Sequence, residues 1–250
     1  MADRIDKILA TITPYSRAEL KRLARKKKVL QGEKILTDLS EKITLDRATF
    51  VVNEEVYQFD CARQHLYIAL HKAAGVLSTK QDSHRPTVID SVLRCFSKDE
   101  KNMQVLKHTE TLQICGRLDV DTTGLILLTT DGAWNHHITS PRHCTEKEYQ
   151  VELAKPIYQN DLQRLSDGLE LSDGPARAAS VTQIDKHNIR ITLTEGRHHQ
   201  VKRMAHAIGN EVSSLHRLRI GGLVLDSAWP EGDAKVINPE IIDQEFPPRS

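Results

Sequence analysis

The stretch Gly116-Arg117-Leu118-Asp119-Val120-Asp121-Thr122-Thr123-Gly124-Leu125-Ile126-Leu127-Leu128-Thr129-Thr130-Asp131-Gly132 constrains this chain more than any other. Its second half is an apolar run closed by Asp-Gly, which reads as a strand buried in a sheet. Its first half gathers an arginine, two aspartates and paired threonines into one polar turn. Folding alone does not ask for such a turn. Held against a hydrophobic sheet, it is costly unless its polar groups are satisfied or used.

A chain of 250 residues has room for one large domain or two smaller ones with a real core. Its apolar fraction of 39% describes an ordinary soluble protein. No apolar run reaches the roughly 18 residues of a membrane span, so no membrane partner is expected. The polar N-terminus lacks an apolar signal core. Cys61, Cys95, Cys115 and Cys144 are scattered without a Cys-x-x-Cys pair, so neither a cysteine zinc site nor a disulfide framework is expected. A reducing cytoplasm is the expected compartment. The net charge of +1 hides an asymmetry, because residues 1–30 carry nine Lys or Arg against three acids. A basic head on a near-neutral chain points to a polyanion partner for the head.

Ile5, Ile8, Leu9 and Ile12 form the apolar stripe of a short helix that Asp3 could cap and Pro14 ends. Ser16 and Glu19 make a capping-box pattern at the start of a second helix, on which Leu20, Leu23 and Ala24 face inward. Arg17, Lys21, Arg25 and Lys28 recur near helical spacing on the other side. The run Arg25-Lys26-Lys27-Lys28 has no interleaved acid, and such charges repel unless a polyanion neutralises them. A strand and turn at Val29 to Lys34 and an alternating segment from Thr49 to Phe59 follow.

After a linker at residues 61–66, Tyr67 to Lys72 starts a second domain with strand composition. Val181–Ile184 and Ile189–Leu193 read as a hairpin. Asn160–Leu165, closed near Gly168, and His199–Ile208, closed by Gly209, read as helices. Strands outnumber helices and few alternate with them, so an α+β domain on a mostly antiparallel sheet flanked by helices is expected.

Three stretches of the second domain could carry chemistry. Asp119, Asp121 and Asp131 could ligate a divalent ion, but no Glu or His completes the set, and no metal is expected there. They could be turn residues, which suits Asp131-Gly132. Asp119 could instead be catalytic, positioned by Arg117. At Glu146 to Val151, Tyr149 enters a strand, where it is a half-buried core residue or a ring that stacks on a base. At Glu195 to Met204, polar side chains gather where a strand gives way to a helix, a place that favours anions.

Two resemblances follow from these motifs. Arg4 to Ala10, Ser16 to Leu23 and the Val29–Gly32 turn resemble an S4 RNA-binding domain over about residues 1–60, with a dense lysine run where a Gly-containing link is usual. Gly116–Gly132, Trp134–Pro141, Glu148-Tyr149, Glu195–Met204 and Leu215–Leu223 together resemble the RsuA-like pseudouridine synthases of the bacterial small ribosomal subunit. The match runs from about Tyr67 to Leu225 and departs at His71-Lys72-Ala73, where Asn-Lys-Pro is usual.

The second resemblance implies a catalytic domain over residues 67–250 that isomerises a uridine of RNA without cofactor or metal. It implies Asp119 as the catalytic carboxylate, Lys202 or the neighbouring Arg203 as its partner, and Tyr149 stacked on the uracil. It further implies Arg117, Arg197, Arg203 and Leu215 in contact with substrate, while the basic stripe of the S4-like head places Arg17, Lys21, Arg25 and Lys28 on RNA. Its pattern at Asp121–Gly124 and Thr139–His143 favours a uridine of 16S rRNA, uridine 516. A monomer would meet it in ribosomal RNA or in an assembling particle of the small subunit. The alternatives are a 23S rRNA or tRNA uridine, a metal-dependent hydrolase built on the Asp cluster, or a non-catalytic ribosome-assembly factor.

Overall fold

The computed structural model describes residues 3–43, 45, 47–60, 65–97, 105–106, 109–176 and 180–246, and structural statements refer to these. The chain divides into two units, Met1–His65 and Leu66–Ser250. The linker expected at residues 61–66 falls largely on residues 61–64, outside the described residues.

In chain order the first unit contains β1 (Asp3–Arg4), α1 (Ile5–Ile12), α2 (Arg17–Arg25), β2 (Val29–Gln31), β3 (Lys34–Ile35), β4 (Lys42–Ile43), β5 (Arg47–Val52) and β6 (Glu55–Asp60). Ile5, Ile8 and Leu9 of α1 pack on Leu20 and Ala24 of α2 and on Val29, Phe50, Val52 and Phe59 of the sheet. The cap position of α1 falls on Arg4 rather than Asp3, because Asp3 and Arg4 are paired with β4. Ser16 and Glu19 form the expected capping box on α2.

Lys28 does not continue the cationic stripe of α2. The helix ends at Arg25, Lys27 turns left-handed at φ 57, and Lys27 and Lys28 donate their N–H groups to the carbonyls of Ala24 and Leu23. This is a Schellman stop with lysine where glycine is usual. The alternating segment Thr49–Phe59 is two strands, not one. Asn53 (φ 51) and Glu54 (φ 76) turn it into the β5–β6 hairpin, and positive φ at both turn residues matches the twist of the flanking strands.

The second unit contains β7 (Tyr67–Lys72), α3 (Val88–Phe96), β8 (Gln113–Cys115), β9 (Thr123–Thr129), α4 (Gly132–Thr139), β10 (Lys147–Leu153), α5 (Gln159–Asp167), β11 (Glu170–Leu171), β12 (Gly174–Pro175), β13 (Ser180–Gln183), β14 (Asn188–Leu193), α6 (Gln200–Ala207), β15 (Val212–Ile220), β16 (Leu223–Val224), β17 (Ala234–Val236) and α7 (Pro239–Glu245). Among the described residues the main sheet has nine strands in the order β13-β14-β10-β15-β9-β7-β17, with β8 on β9 and β16 on β15. Its pairs are antiparallel except β15 with β9. The fold is therefore α+β on a mostly antiparallel mixed sheet flanked by helices.

The continuous apolar run of β9 has a simple cause, because both faces of the strand are covered. Ile126 and Leu128 join a core with α3, α5 and α6, while Leu125 and Leu127 join a second core with Trp134, Trp229 and Phe246. Asp131 is the N-cap of α4, its Oδ1 accepting from the N–H groups of Ala133 (2.9 Å) and Trp134 (3.0 Å). It belongs to no carboxylate cluster, since the length of β9 separates it from Asp119.

Candidate active site

The polar turn between β8 and β9 is held by backbone contacts. Ser78 Oγ donates to the carbonyl of Leu118 at 2.7 Å and accepts from its N–H at 3.0 Å. The Gly75 N–H donates to the Val120 carbonyl at 2.7 Å. Lys72, fully buried at the end of β7, donates through Nζ to the carbonyls of Thr122 (2.7 Å), Ala73 (3.1 Å) and Val120 (3.3 Å). Burial brings the Lys72 ammonium down to about 8, against the opposing pull of the Asp121 and Asp119 charges. The desolvation of this lysine is offset by the three carbonyls that accept from its ammonium.

Gly124 closes the other end of this loop. Its φ is +106, and a Cβ placed there would lie 2.3 Å from the Arg217 carbonyl oxygen. Only glycine lets β9 run this close to β15.

Asp119 is displayed at the turn's crest, 24% exposed, with one oxygen 3.3 Å from Lys202 Nζ and the other 3.4 Å from His199 Nε2. Lys202 lies in the first turn of α6 and also contacts both Asp121 oxygens, at 2.7 and 2.8 Å. The Lys202 ammonium is raised: burial pulls it down, and the Asp121 hydrogen bond with the Asp119 and Asp121 charges outweighs that. The Asp121 carboxyl is correspondingly lowered by the Lys202 hydrogen bond. Lys202 thus bridges two carboxylates, and it holds the exposed Asp121 more closely than Asp119. Arg203 is the alternative partner that the geometry removes. It faces the β11–β12 turn, making paired contacts of 2.7 and 3.1 Å to Asp173.

Helix α6 starts at Gln200, after His199, whose left-handed φ of 50 delivers its ring toward Asp119. Gln200 Nε2 donates to the buried Glu195 at 2.8 Å, and its Oε1 accepts from the Arg197 N–H at 3.0 Å. The Arg197 guanidinium is engaged by Glu195, by Asp173, by the Gly174 carbonyl at 3.0 Å and by the Pro175 carbonyl. It fastens the β11–β12 hairpin to the loop, so its charge is already employed.

The floor of the depression beside Asp119 is formed by Tyr149 of β10 and Leu215 of β15, which are 8% and 7% exposed, with Leu193, Thr122 and Val201 around them. Beneath Tyr149 lies Arg217, 1% exposed, with its guanidinium carbon 6.0 Å from the ring centroid and Nε donating to the Leu125 carbonyl at 2.7 Å. Arg117 is exposed and lines both this depression and a second one reaching Asp121, His198 and Lys202.

The structure therefore brings Asp119, Lys202, Tyr149, Leu215, Arg117 and Arg197 to one place and sends Arg203 elsewhere. Sequence reasoning passed over Lys72, Asp121 as a partner of Lys202, His199 as a neighbour of Asp119, and Arg217. The signal for Lys72 was a lysine closing an otherwise apolar strand. For Arg217 it was a cation at an inward position of an alternating run.

Four expected RNA contacts lie in the first unit. Arg17 and Lys21 surround the fully buried Asp6 together with Arg4, at 3.0, 3.7 and 3.0 Å respectively. Burial raises the Asp6 carboxyl, but the hydrogen bonds and charges of Arg4 and Arg17 leave it lowered overall. One acid against three cations leaves this face net positive. Arg25 is exposed, and Lys28 donates to Asn53 Oδ1 at 2.8 Å.

Residues 66–207 match the family model described as RNA pseudouridylate synthase. The chain is 35% identical over 241 residues to the ribosomal small subunit pseudouridine synthase A of Yersinia pestis, covering 96% of each. It is also 35% identical over 246 residues to the Escherichia coli K12 protein of that name, covering 96% of this chain and 98% of that one. A crystal structure of a pseudouridylate synthase superposes with a TM-score of 0.65 at 33% identity, covering 97% of this chain and 99% of that chain.

Proposed function

Since this chain belongs to the RNA pseudouridylate synthases, we propose that it converts one uridine of 16S ribosomal RNA, uridine 516, to pseudouridine, and that Asp119 carries the reaction. The observation behind the residue assignment is the Asp119 carboxylate poised over Tyr149 and Leu215, with Lys202 3.3 Å away. The preference for 16S rRNA rests on the small-subunit names of the relatives that match nearly end to end. Such a substrate would be met in the cytoplasm.

In this isomerisation the N1–C1′ bond breaks, the uracil turns, C5 bonds to C1′, the C5 proton leaves and N1 takes up a proton in its place. Atoms and electrons balance without a redox partner. Asp119 acts on the ribose, either by attacking C1′ or by taking a ribose proton, and both roles require the ionised carboxylate. Lys202 supplies the opposing charge at its side. Tyr149 offers its ring to the uracil and a phenol oxygen toward C5, while Leu215 packs on the base as an apolar wall. A uridine reaches this depression only after leaving its stack, which costs a few kcal/mol. Backbone contacts offset that cost, from Arg117 at the mouth and from the basic face of the first unit. Lys72 is a positioning residue, since it touches the backbone on either side of Asp121 rather than the site itself.

The test is pseudouridine mapping of 16S rRNA from cells lacking this protein, beside the parent strain. Loss of one site confirms the assignment and names the uridine. An unchanged 16S map with a lost site in 23S rRNA or tRNA overturns the substrate, and unchanged maps throughout overturn the activity.

A further inference from the structure

The sheet face opposite Tyr149 and Leu215 carries a second constellation. His71 of β7 is paired with Leu125 of β9, and His216 of β15 with Thr123 of β9. Directly paired residues share a face, and that face belongs to the Leu125 core rather than to the core of Tyr149 and Leu215. Gly124 between them points the other way, so the two rings meet across β9 with centroids 5.4 Å apart. The segment after Trp229 wraps over this point. Gly232 donates to the His71 carbonyl at 2.6 Å, and the His71 N–H donates to the Asp233 carbonyl at 3.0 Å. Glu231 is thereby held beside both rings. One donor atom from each of His71, His216 and Glu231 lies within 4.8 Å of the others.

The ring nitrogens of His71 are already sorted. His71 Nδ1 lies 2.7 Å from the Trp229 carbonyl oxygen, which can only accept, so Nδ1 carries the proton and Nε2 keeps its lone pair. That Nε2 is buried without a hydrogen-bond partner, on a residue only 7% exposed. His216 Nδ1 is 2.7 Å from Thr123 Oγ1, and when that hydroxyl accepts, the His216 Nε2 keeps its lone pair for a metal. Imidazoles fixed through one nitrogen by a carbonyl or hydroxyl, with the other aimed at a shared point, are the arrangement of metal-bound histidines.

We propose that His71 Nε2, His216 Nε2 and a Glu231 carboxylate oxygen bind one divalent transition metal of the zinc class, as a clamp between the Trp229–Asp233 segment and the sheet. Two imidazoles and one carboxylate suit such an ion, with bonds of about 2.0–2.2 Å and a fourth position left for water. Donor atoms within 4.8 Å must draw closer to reach tetrahedral spacing, and Glu231, exposed on a turn, is the ligand with most room to move. The site departs from the expectation of no metal, which rested on cysteine spacing, on the Asp119 region and on a resemblance whose chemistry needs none. It is also independent of the chemistry assigned to Asp119.

The experiment is titration of the chelator-treated full chain with Zn2+, followed by calorimetry and by thermal unfolding. One ion per chain and a raised Tm are expected. Glu231→Gln changes an exposed side chain and leaves the fold in place, and it is expected to weaken Zn2+ binding roughly tenfold or more. His216→Asn is expected to abolish the Tm response. No saturable binding to the parent chain overturns the proposal. So does binding of equal strength in both variants, which would place the ion on other histidines, such as His136, His137 and His143.

Discussion

Asp119 is useful because its neighbours are arranged for it. Its loop is satisfied from below by Lys72 and Ser78, and its carboxylate is flanked by Lys202 and His199. Asp119→Asn keeps the shape and removes the charge, so isomerisation is expected to fall to background while RNA affinity stays within about twofold. A tritium-release assay from C5-labelled RNA, run beside filter binding, checks both halves. Lys147 makes a separate point about buried charge. It is 7% exposed and donates to the Thr145 carbonyl at 2.8 Å, and burial, then Arg217, bring its ammonium to about 8. The unfolded lysine titrates near 10.5. From about 8 to 10.5 the unfolded chain holds more protons, so stability rises with pH across that window, and below it the full penalty for the buried charge applies. Lys147→Met is therefore expected to be more stable than the parent at pH 7, by about 1 kcal/mol or more. The gap should narrow at pH 10 in denaturant titrations, and a gap that does not change with pH would contradict this account.

Strand β9 is where one element sets the site. Its alternate residues feed two cores, its first residues terminate the Asp119 loop, and Gly124 brings it against β15, which carries Leu215 and Arg217. Gly124→Ala meets the Arg217 backbone and a φ that L side chains rarely adopt, so a loss of several kcal/mol is expected. Thermal unfolding reads that loss, and what folded protein remains should have lost most of its activity, because the loop and β15 must separate. Much of this element was legible beforehand. An apolar run between a polar turn and Asp-Gly fixed a buried strand, and Gly168 and Gly209 marked real helix ends. The β5–β6 hairpin was not legible, because its turn is Asn53-Glu54 and not Asn-Gly. Nor was the stop of α2 at Lys27, where lysine takes a conformation that glycine usually supplies.

At the scale of the whole molecule, charge is divided between the units. The first unit collects an excess of cations, and the second displays Asp119 and Asp121 beside Lys202. Removal of residues 1–60 is expected to weaken RNA binding and flatten its dependence on salt, with a smaller effect on the rate at saturating RNA. Binding curves at two ionic strengths and single-turnover rates separate the two effects. Unchanged affinity would show that the first unit is not the anchor. Arg17 and Lys21 share Asp6 with Arg4, so their contribution to that anchor is smaller than a count of charges suggests, and Arg25 carries more of it.

The sequence by itself determined the local matters: which runs are strands or helices, where Ser16 caps, and that Asp119, Tyr149 and Lys202 stand in motifs at a family's spacing. These follow from periodicity, turn chemistry and resemblance, and none needs knowledge of what lies opposite. Only the tertiary structure decided the pairings. Lys202 rather than Arg203 serves Asp119 because α6 starts one residue after a left-handed His199, and this start turns Arg203 toward Asp173. Lys72 became the support of the Asp119 loop, and Arg217 the cation under Tyr149, because sheet register placed them there. A side chain's neighbours across a sheet come from residues far away in the chain, and the strength of a charge or hydrogen bond depends on burial that those neighbours create.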